Sequence, residues 1–256
     1  MKRLIIIPVK DEKDTLSLLI RDIKRRHKDI YDILVINDNT EDITLPGSII
    51  IINNKRNLGK GCSIRKGFGF ALANDYDYVI MMDADGEHET KYLQEFSDKI
   101  ESKTKCDLVL GKRKKLRSGK RKAFSNFTGV WMGLLGYNNV DYYCGYKAIS
   151  SELLRKMILK SRRYEIEIEI LLEALKNKAN YKTVLINLDY RKSQMKLGDF
   201  VAINLFFDVW VLRNKTFISK NYSLFKYIIL ITAAMIGLFA SYLMSFFLSG
   251  GKQNRK

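Results

Sequence analysis

Residues 4–7, Leu4-Ile5-Ile6-Ile7, form an unbroken apolar run that Pro8 ends, the pattern of a strand buried on both faces of a parallel sheet. From Asp14, a predicted N-cap, apolar residues Leu16, Leu19, Ile20 and Ile23 recur at helical spacing. Runs at 32–36 and 48–52 predict the second and third strands, 60–73 a helix, 76–82 a fourth strand, 91–100 a helix and 107–110 a fifth strand. Residues 181–190 predict an edge strand. Strands alternating with helices at short spacing mean an α/β domain with a mostly parallel sheet. Such sheets bind ligands beyond the carboxyl ends of their strands, where Pro8, Asp38 and Asp83 all fall.

The pattern changes toward the end of the chain. Residues 200–212 are mostly apolar, with only Asn204 and Asp208 on one face and too little length to span a bilayer. They predict an interfacial helix lying along a membrane, with a buried core helix as the alternative. Residues 227–248 are 22 without a charge, about 33 Å as a helix against a hydrocarbon core of about 30 Å. This predicts one C-terminal transmembrane helix, flanked by Lys226 and by Lys252, Arg255 and Lys256. Lys and Arg are far denser before it, which puts the large domain on the cytoplasmic face of a single-pass membrane protein. The expected plan is a catalytic domain at 1–198, a juxtamembrane helix and linker at 199–225, a span at 226–249 and a basic tail at 250–256.

Charge narrows the partners. Lys plus Arg exceeds Asp plus Glu by 45 − 28 = 17, a balance suited to nucleic acid, phosphorylated substrates or a lipid surface. With a membrane segment present, the bilayer and phosphorylated substrates take the charge and nucleic acid is not expected. Cys62, Cys106 and Cys144 are scattered and odd in number, so reduced thiols are expected. No secretory signal is expected, because only residues 4–7 separate Arg3 from Pro8.

The densest chemistry is Asp83-Ala84-Asp85-Gly86-Glu87-His88, directly after the apolar run at 78–80. In extended backbone, residues i and i+2 project to one side, which aims Asp83 and Asp85 at a common point. Two hard oxygen ligands there suit Mg²⁺ or Mn²⁺, ions that keep waters and take further ligands from a substrate's phosphates. Read alone, Asp-Gly after a strand is equally an ordinary turn. An EF-hand is excluded, since His88 stands where the loop needs glycine and Gln94 where it needs glutamate.

Further stretches carry a resemblance. Residues 6–12, Ile-Ile-Pro-Val-Lys-Asp-Glu, resemble the IPVYNE opening of family 2 glycosyltransferases, and residues 35–42 resemble their VVDDGSTD. Arg56-Asn57-Leu58-Gly59-Lys60-Gly61 with Arg65, Gly67 and Ala71 resembles RNxGxGxAxRxG, and residues 83–88 resemble DADGQH. Asp141 to Lys147 is similar to a D-x-x-x-G-F-R element and residues 164–169 to a FEIE-type element. Together they resemble the branch that makes polyprenyl or dolichyl phosphate sugars, over roughly residues 4–195 and in the family's order. Lys10, Asn37, Cys62 and Gly111-Lys112-Arg113 depart from the family's usual residues.

The resemblance implies a nucleotide-sugar-binding GT-A, Rossmann-like domain. It also implies a metal-dependent inverting transfer from a UDP- or GDP-sugar to polyprenyl or dolichyl phosphate. The implied donor-binding set is Pro8, Val9, Glu12, Asp38, Lys60, Arg65, Asp83 and Ala84, with Asp38 accepting hydrogen bonds from the base. Asp83 and Asp85 would hold the metal, with Glu87 as a third ligand. Asp141 and Glu165 are the implied catalytic carboxylates, and Arg113 and Arg121 the implied clamp on the acceptor phosphate, since arginine's planar fork suits that group. Read as residues alone, Asp38 and Asp141 are equally turn residues and Glu12 a solvated charge at a helix start. The eight Lys or Arg between Gly111 and Lys122 read equally as a loop adhering to anionic lipid. Two other readings stay open, transfer to another lipid-linked acceptor such as a glycan or diacylglycerol, and a non-catalytic scaffold that binds nucleotide sugar.

Overall fold

A computed structural model describes residues 1–39, 41–45, 48–114, 128–138, 140–187 and 197–250, the side chains of 197, 200 and 240–250 excepted. The chain divides into two compact units, one of Met1–Leu116 with Val140–Gln194, the other of Arg117–Asn139 with Met195–Lys256.

The first unit is a seven-stranded sheet. Its strands are β1 (Arg3–Val9), β2 (Asp32–Asn37), β3 (Ile50–Asn53), β4 (Tyr78–Met81), β5 (Leu108–Arg113), β6 (Lys147–Ser150) and β7 (Tyr181–Ile186). The spatial order is β3-β2-β1-β4-β6-β5-β7, parallel except for β6, which is antiparallel to both β4 and β5. Helices α1 (Lys13–His27), α2 (Lys60–Ala73), α3 (Leu93–Ile100), α4 (Ser151–Lys156) and α5 (Ile166–Lys176) connect the strands. The expected fold class, α/β with a mostly parallel sheet, is the one observed. Leu4 to Ile7, Leu34 to Ile36 and Val79 to Ile80 are fully buried, as continuous apolar runs between two covered faces should be.

Three local expectations change. β1 runs through Pro8 to Val9, in register with Ile36 and Asn37. On the β4 side the bonds run through Ile6, whose carbonyl accepts the Met82 N–H, and the β4 ladder ends there. Pro8, in phase with Ile6, faces that ended ladder, so its missing N–H costs no bond. The N-cap of α1 is Glu12, not Asp14, which lies inside the first turn where a negative charge suits the helix dipole. Strand β6 and helix α4 carry no strong periodic signal and were not expected.

The position of β6 decides what reaches the active edge. Lys147 opens it and pairs with Met81 of β4 and Leu110 of β5, both near the carboxyl ends of their strands. An antiparallel strand enters from the edge where its parallel neighbours exit. Residues 141–146 are thereby delivered across that edge, between the residues that follow β4 and the end of β5.

The second unit is helical. Residues 128–134 form a short helix, followed by α6 (Leu197–Arg213), α7 (Lys215–Asn221) and α8 (Leu224–Gly250). Helix α6 buries Ile203, Phe207 and Val211, a stripe at i, i+4 and i+8, and α8 buries Leu230 and Ala234. Asn204 and Asp208 of α6 face partners within the unit. Thr128 donates to Asn204 at 2.8 Å, and the buried Asp208 carboxylate packs so tightly on Gly237 that a Cβ there would collide with it. Among the described residues no helix is long and apolar enough to cross a membrane.

Candidate active site

Asp83 leaves the end of β4 through a turn fixed from within. Its backbone N–H donates to His88 Nδ1 at 2.9 Å, and the Glu87 N–H donates to Asp85 Oδ1 at 2.9 Å. Gly86 at φ +79° supplies the left-handed conformation the turn needs. His88 is buried and stacks on Tyr146 with centroids 4.9 Å apart, and Tyr146 stacks on Phe96 at 4.3 Å. Burial lowers the His88 pKa to about 4, so the ring is neutral at physiological pH and accepts the Asp83 N–H. The histidine shapes the loop.

The Asp83 carboxylate is held by Lys60, from the first residue of α2, at 2.6 Å. Burial alone would raise its pKa, but the Lys60 ammonium outweighs this and holds the group low. Asp85 has the opposite fate, since burial and the charge of Asp83 push it up to about 7. Two crowded carboxylates of which one resists ionisation are what a divalent cation would relieve, so this pair fits Mg²⁺ or Mn²⁺. Glu87 does not complete a trio. Among the described residues no group of three or more His, Cys, Asp or Glu side chains could hold a metal.

Lys60 has a second acid. Glu167 Oε1 lies 2.9 Å from its ammonium, and the fully buried Lys147 pairs with Glu167 Oε2. Gly145 makes room for the group, because a Cβ there would stand 2.7 Å from Asp83 Oδ2 and 3.1 Å from Lys60 Nζ. Glu167, not the expected Glu165, enters the site. Helix α5 begins at Ile166, which leaves Glu165 as its N-cap, accepting the Arg163 N–H at 3.2 Å. Glu169, one residue pair further, accepts the N–H groups of Lys160 and Ser161 at 2.8 and 2.9 Å.

Asp141 and Arg113 meet as a bidentate pair. Arg113 Nε bonds Asp141 Oδ2 and Nη2 bonds Oδ1 at 2.7 Å, while the Tyr143 N–H adds a contact to Oδ1 at 3.3 Å. Asp141 is buried, and both its oxygens accept from these donors. Arg121 lies outside the described residues.

Several expected donor ligands serve the protein instead. Asp38 is buried and accepts from Leu58 N at 2.8 Å, Gly59 N at 2.7 Å and Asn54 Nδ2 at 2.9 Å, stapling the end of β2 to the start of α2. Its carboxylate is thus loop structure first. Arg65 donates to the Lys160 carbonyl at 3.0 Å. Gly59 and Gly61 give the close approach their spacing suggested, but to the protein's own 161–163 segment: a Cβ on either would clash with its backbone. Val9 and Ala84 bury their side chains in the core. Pro8 is half-buried at the strand end, and Glu12 accepts the Lys10 N–H at 2.7 Å. Asn37, a departure from the family's aspartate, uses its amide donors on Glu41 O at 2.7 Å and Asn53 Oδ1 at 2.9 Å, which a carboxylate could not do.

The chain is similar to known proteins. The family model described as "Glycosyl transferase family 2" matches residues 4–158. The polyprenol monophosphomannose synthase of Mycolicibacterium smegmatis is 24% identical over 230 residues, 80% of this chain and 83% of that protein. The undecaprenyl-phosphate mannosyltransferase of Micrococcus luteus is 28% identical over 195 residues, covering 66% and 76%. A dolichyl-phosphate beta-glucosyltransferase of Trichomonas vaginalis is 25% identical over 242 residues, covering 82% and 70%. Among solved structures, the glucosyl-3-phosphoglycerate synthase of Mycobacterium tuberculosis with Mn²⁺, UDP-glucose and phosphoglyceric acid has a TM-score of 0.64 at 16% identity, covering 83% of this chain and 79% of that one.

Proposed function

Since the chain belongs to glycosyl transferase family 2, we propose that it moves a hexose or N-acetylhexosamine from a UDP- or GDP-sugar to polyprenyl or dolichyl phosphate, with inversion. The observation that carries this reading is the meeting of two unlike charge assemblies on one sheet edge. Asp83 and Lys60 lie against Gly145 of the 141–146 segment, and the same segment carries Asp141, which pairs with Arg113. The first suits a diphosphate and its cation, the second a phosphate approached by a guanidinium. Curated relatives named for mannose or glucose transfer to lipid phosphates support the acceptor class.

Bound by Asp83 and Asp85, Mg²⁺ or Mn²⁺ would neutralise the departing nucleoside diphosphate. The chain's own residues do the rest. Lys60 adds a positive charge beside the same carboxylate. A lipid phosphate is already an anion at neutral pH, so its oxygen forms the bond to the anomeric carbon as the bond to the diphosphate breaks, and no proton need move. That agrees with an Asp141 committed to Arg113, because orientation of the phosphate is the task left to the pair.

The membrane belongs to the same proposal. The 22 uncharged residues at 227–248 have the length of a span, and Phe225, Ile228, Met235, Ile236 and Phe239 on α8 are exposed. The test is to incubate detergent-solubilised protein with a panel of UDP- and GDP-sugars, Mn²⁺ and polyprenyl phosphate, and to identify the lipid product by mass spectrometry. A glycosylated lipid phosphate is expected. Product only when a glycan or diacylglycerol acceptor is added refutes the acceptor class, and no turnover of any donor refutes the enzyme reading.

A further inference from the structure

Behind Lys60 lies a buried ion pair that the transfer itself does not use. Lys147 is fully buried, donates to the Cys144 carbonyl and pairs with Glu167 Oε2. An ammonium in such a place is costly unless an acid is fixed beside it, so Glu167 is pinned from behind. Its other oxygen lies 2.9 Å from Lys60 Nζ, which lies 2.6 Å from Asp83 Oδ1 and 5.7 Å over the Tyr164 ring. The four charges alternate in sign from the core outward as Lys147, Glu167, Lys60 and Asp83. The inner acid is 3% exposed and the outer one 27%. One ammonium thus touches a buried acid on its inner side and a partly exposed acid on its outer side.

We propose that Glu167, backed by Lys147, is a positioning residue that holds the Lys60 ammonium over the donor site, so that Lys60 can pass from Asp83 to an incoming diphosphate without leaving the cleft. The inference rests on the nucleotide-sugar reading above. On this account Glu167 touches no substrate and acts wholly through Lys60. Cation and diphosphate then bind as a coupled pair, since each relieves one side of the Lys60–Asp83 contact.

A double-mutant cycle tests it. Affinities of UDP and GDP are measured by calorimetry with Mn²⁺ for the wild type, Lys60→Met, Glu167→Gln and the double variant, alongside donor KM and kcat. Each single change should weaken nucleotide binding by about tenfold, the scale of one charge-assisted contact. The double variant should bind no worse than Lys60→Met, and the Glu167→Gln effect should fall mainly on KM. If Glu167→Gln leaves Lys147 unpaired and the protein unstable, Glu167→Gln with Lys147→Met removes both buried charges and takes its place in the cycle. Independent losses, giving about a hundredfold in the double variant, overturn the positioning role. Unchanged affinity in Glu167→Gln does the same. A wild type that binds neither UDP nor GDP with Mn²⁺ overturns the donor reading, and the proposal with it.

Discussion

Asp83 and Asp141 meet their cations in opposite ways at neighbouring strand ends. Asp141 is closed: one arginine takes both its oxygens through a planar fork, and backbone N–H groups add to them. Asp83 is open, because its lysine is shared with Glu167 and a point charge can turn from one partner to another. Asp141 is buried, whereas Asp83 is half-exposed. On the proposed function, the open assembly is the one to exchange partners when a ligand arrives, and the closed one the one to stay fixed and present a guanidinium. A charged pair at an active edge can thus be read for its role by asking whether its groups are saturated.

The largest effect should come from breaking the open side. Asp83→Asn is expected to lower glycosyl transfer by about a thousandfold or more, the scale on which a charge-stabilising group acts in the transition state. The denaturation midpoint should barely move, because Lys60 keeps Glu167 as its partner. Chelating divalent ions from the wild type should have the same result. Full turnover in EDTA, or a collapse of stability in Asp83→Asn, would show that the pair is structural and end the contrast.

Breaking the closed side should reverse the order of the two effects. Arg113→Ala leaves a buried carboxylate without its partner, which costs about 3–5 kcal/mol, measurable as a shift in the urea midpoint. Arg113→Lys should recover part of that loss, since a single ammonium cannot replace the fork. If Arg113 also faces the lipid phosphate, glycolipid formation falls in both variants while hydrolysis of the nucleotide sugar by water persists. Equal loss of transfer and hydrolysis would place Arg113 on the donor side instead.

The two sides were not equally legible in the sequence. β1, β2 and β4 are continuous apolar runs, but β4 ends at Met81 and Asp85 lies in a turn, so the alternation of extended backbone expected for Asp83 and Asp85 does not apply there. The closed pair was visible only as two separate family motifs, because the four-residue β6 that delivers Asp141 to the end of β5 has no period to detect. Glu167 stood among three acids alternating with isoleucine, and the choice among them needed the start of α5 at Ile166. A usable signal was present in Lys147, a lone cation beside Tyr146, Ala148 and Ile149. A lysine buried in a strand requires an acid, and Glu167, set between two isoleucines, is an apolar-flanked candidate. The structural partners of Asp38 were hidden for a different reason: Asn54, Leu58 and Gly59 lie a strand away, and only the fold of the loop before α2 brings them to it.

The smallest expected effect comes from a closed assembly outside the site, which separates saturation from catalysis. Asp22 on α1 bonds Arg25, Arg26 and Thr90, and Thr90 also binds His27 Nε2 through its carbonyl at 2.9 Å. Desolvation pushes the Asp22 pKa up, but Thr90 and the two arginines outweigh it and bring the group from 3.8 to about 2. A carboxylate depressed on folding binds fewer protons in the native state than in the unfolded one. Its contribution is therefore present above the unfolded pKa and lost as pH falls through the folded one. With the side chain 30% exposed, solvent screening reduces the contribution to about 1–2 kcal/mol. Asp22→Asn should lower stability by that amount at pH 7, and the gap between variant and wild type should close between about pH 4 and pH 2. Transfer activity at pH 7 should be unchanged, because the arginines of this pair lie on α1 and not at the strand ends. A constant gap across that range would mean that the three bonds to Asp22 are worth the same to its neutral form, and a loss of activity would mean that the support α1 gives to Thr90 reaches the Asp83 turn.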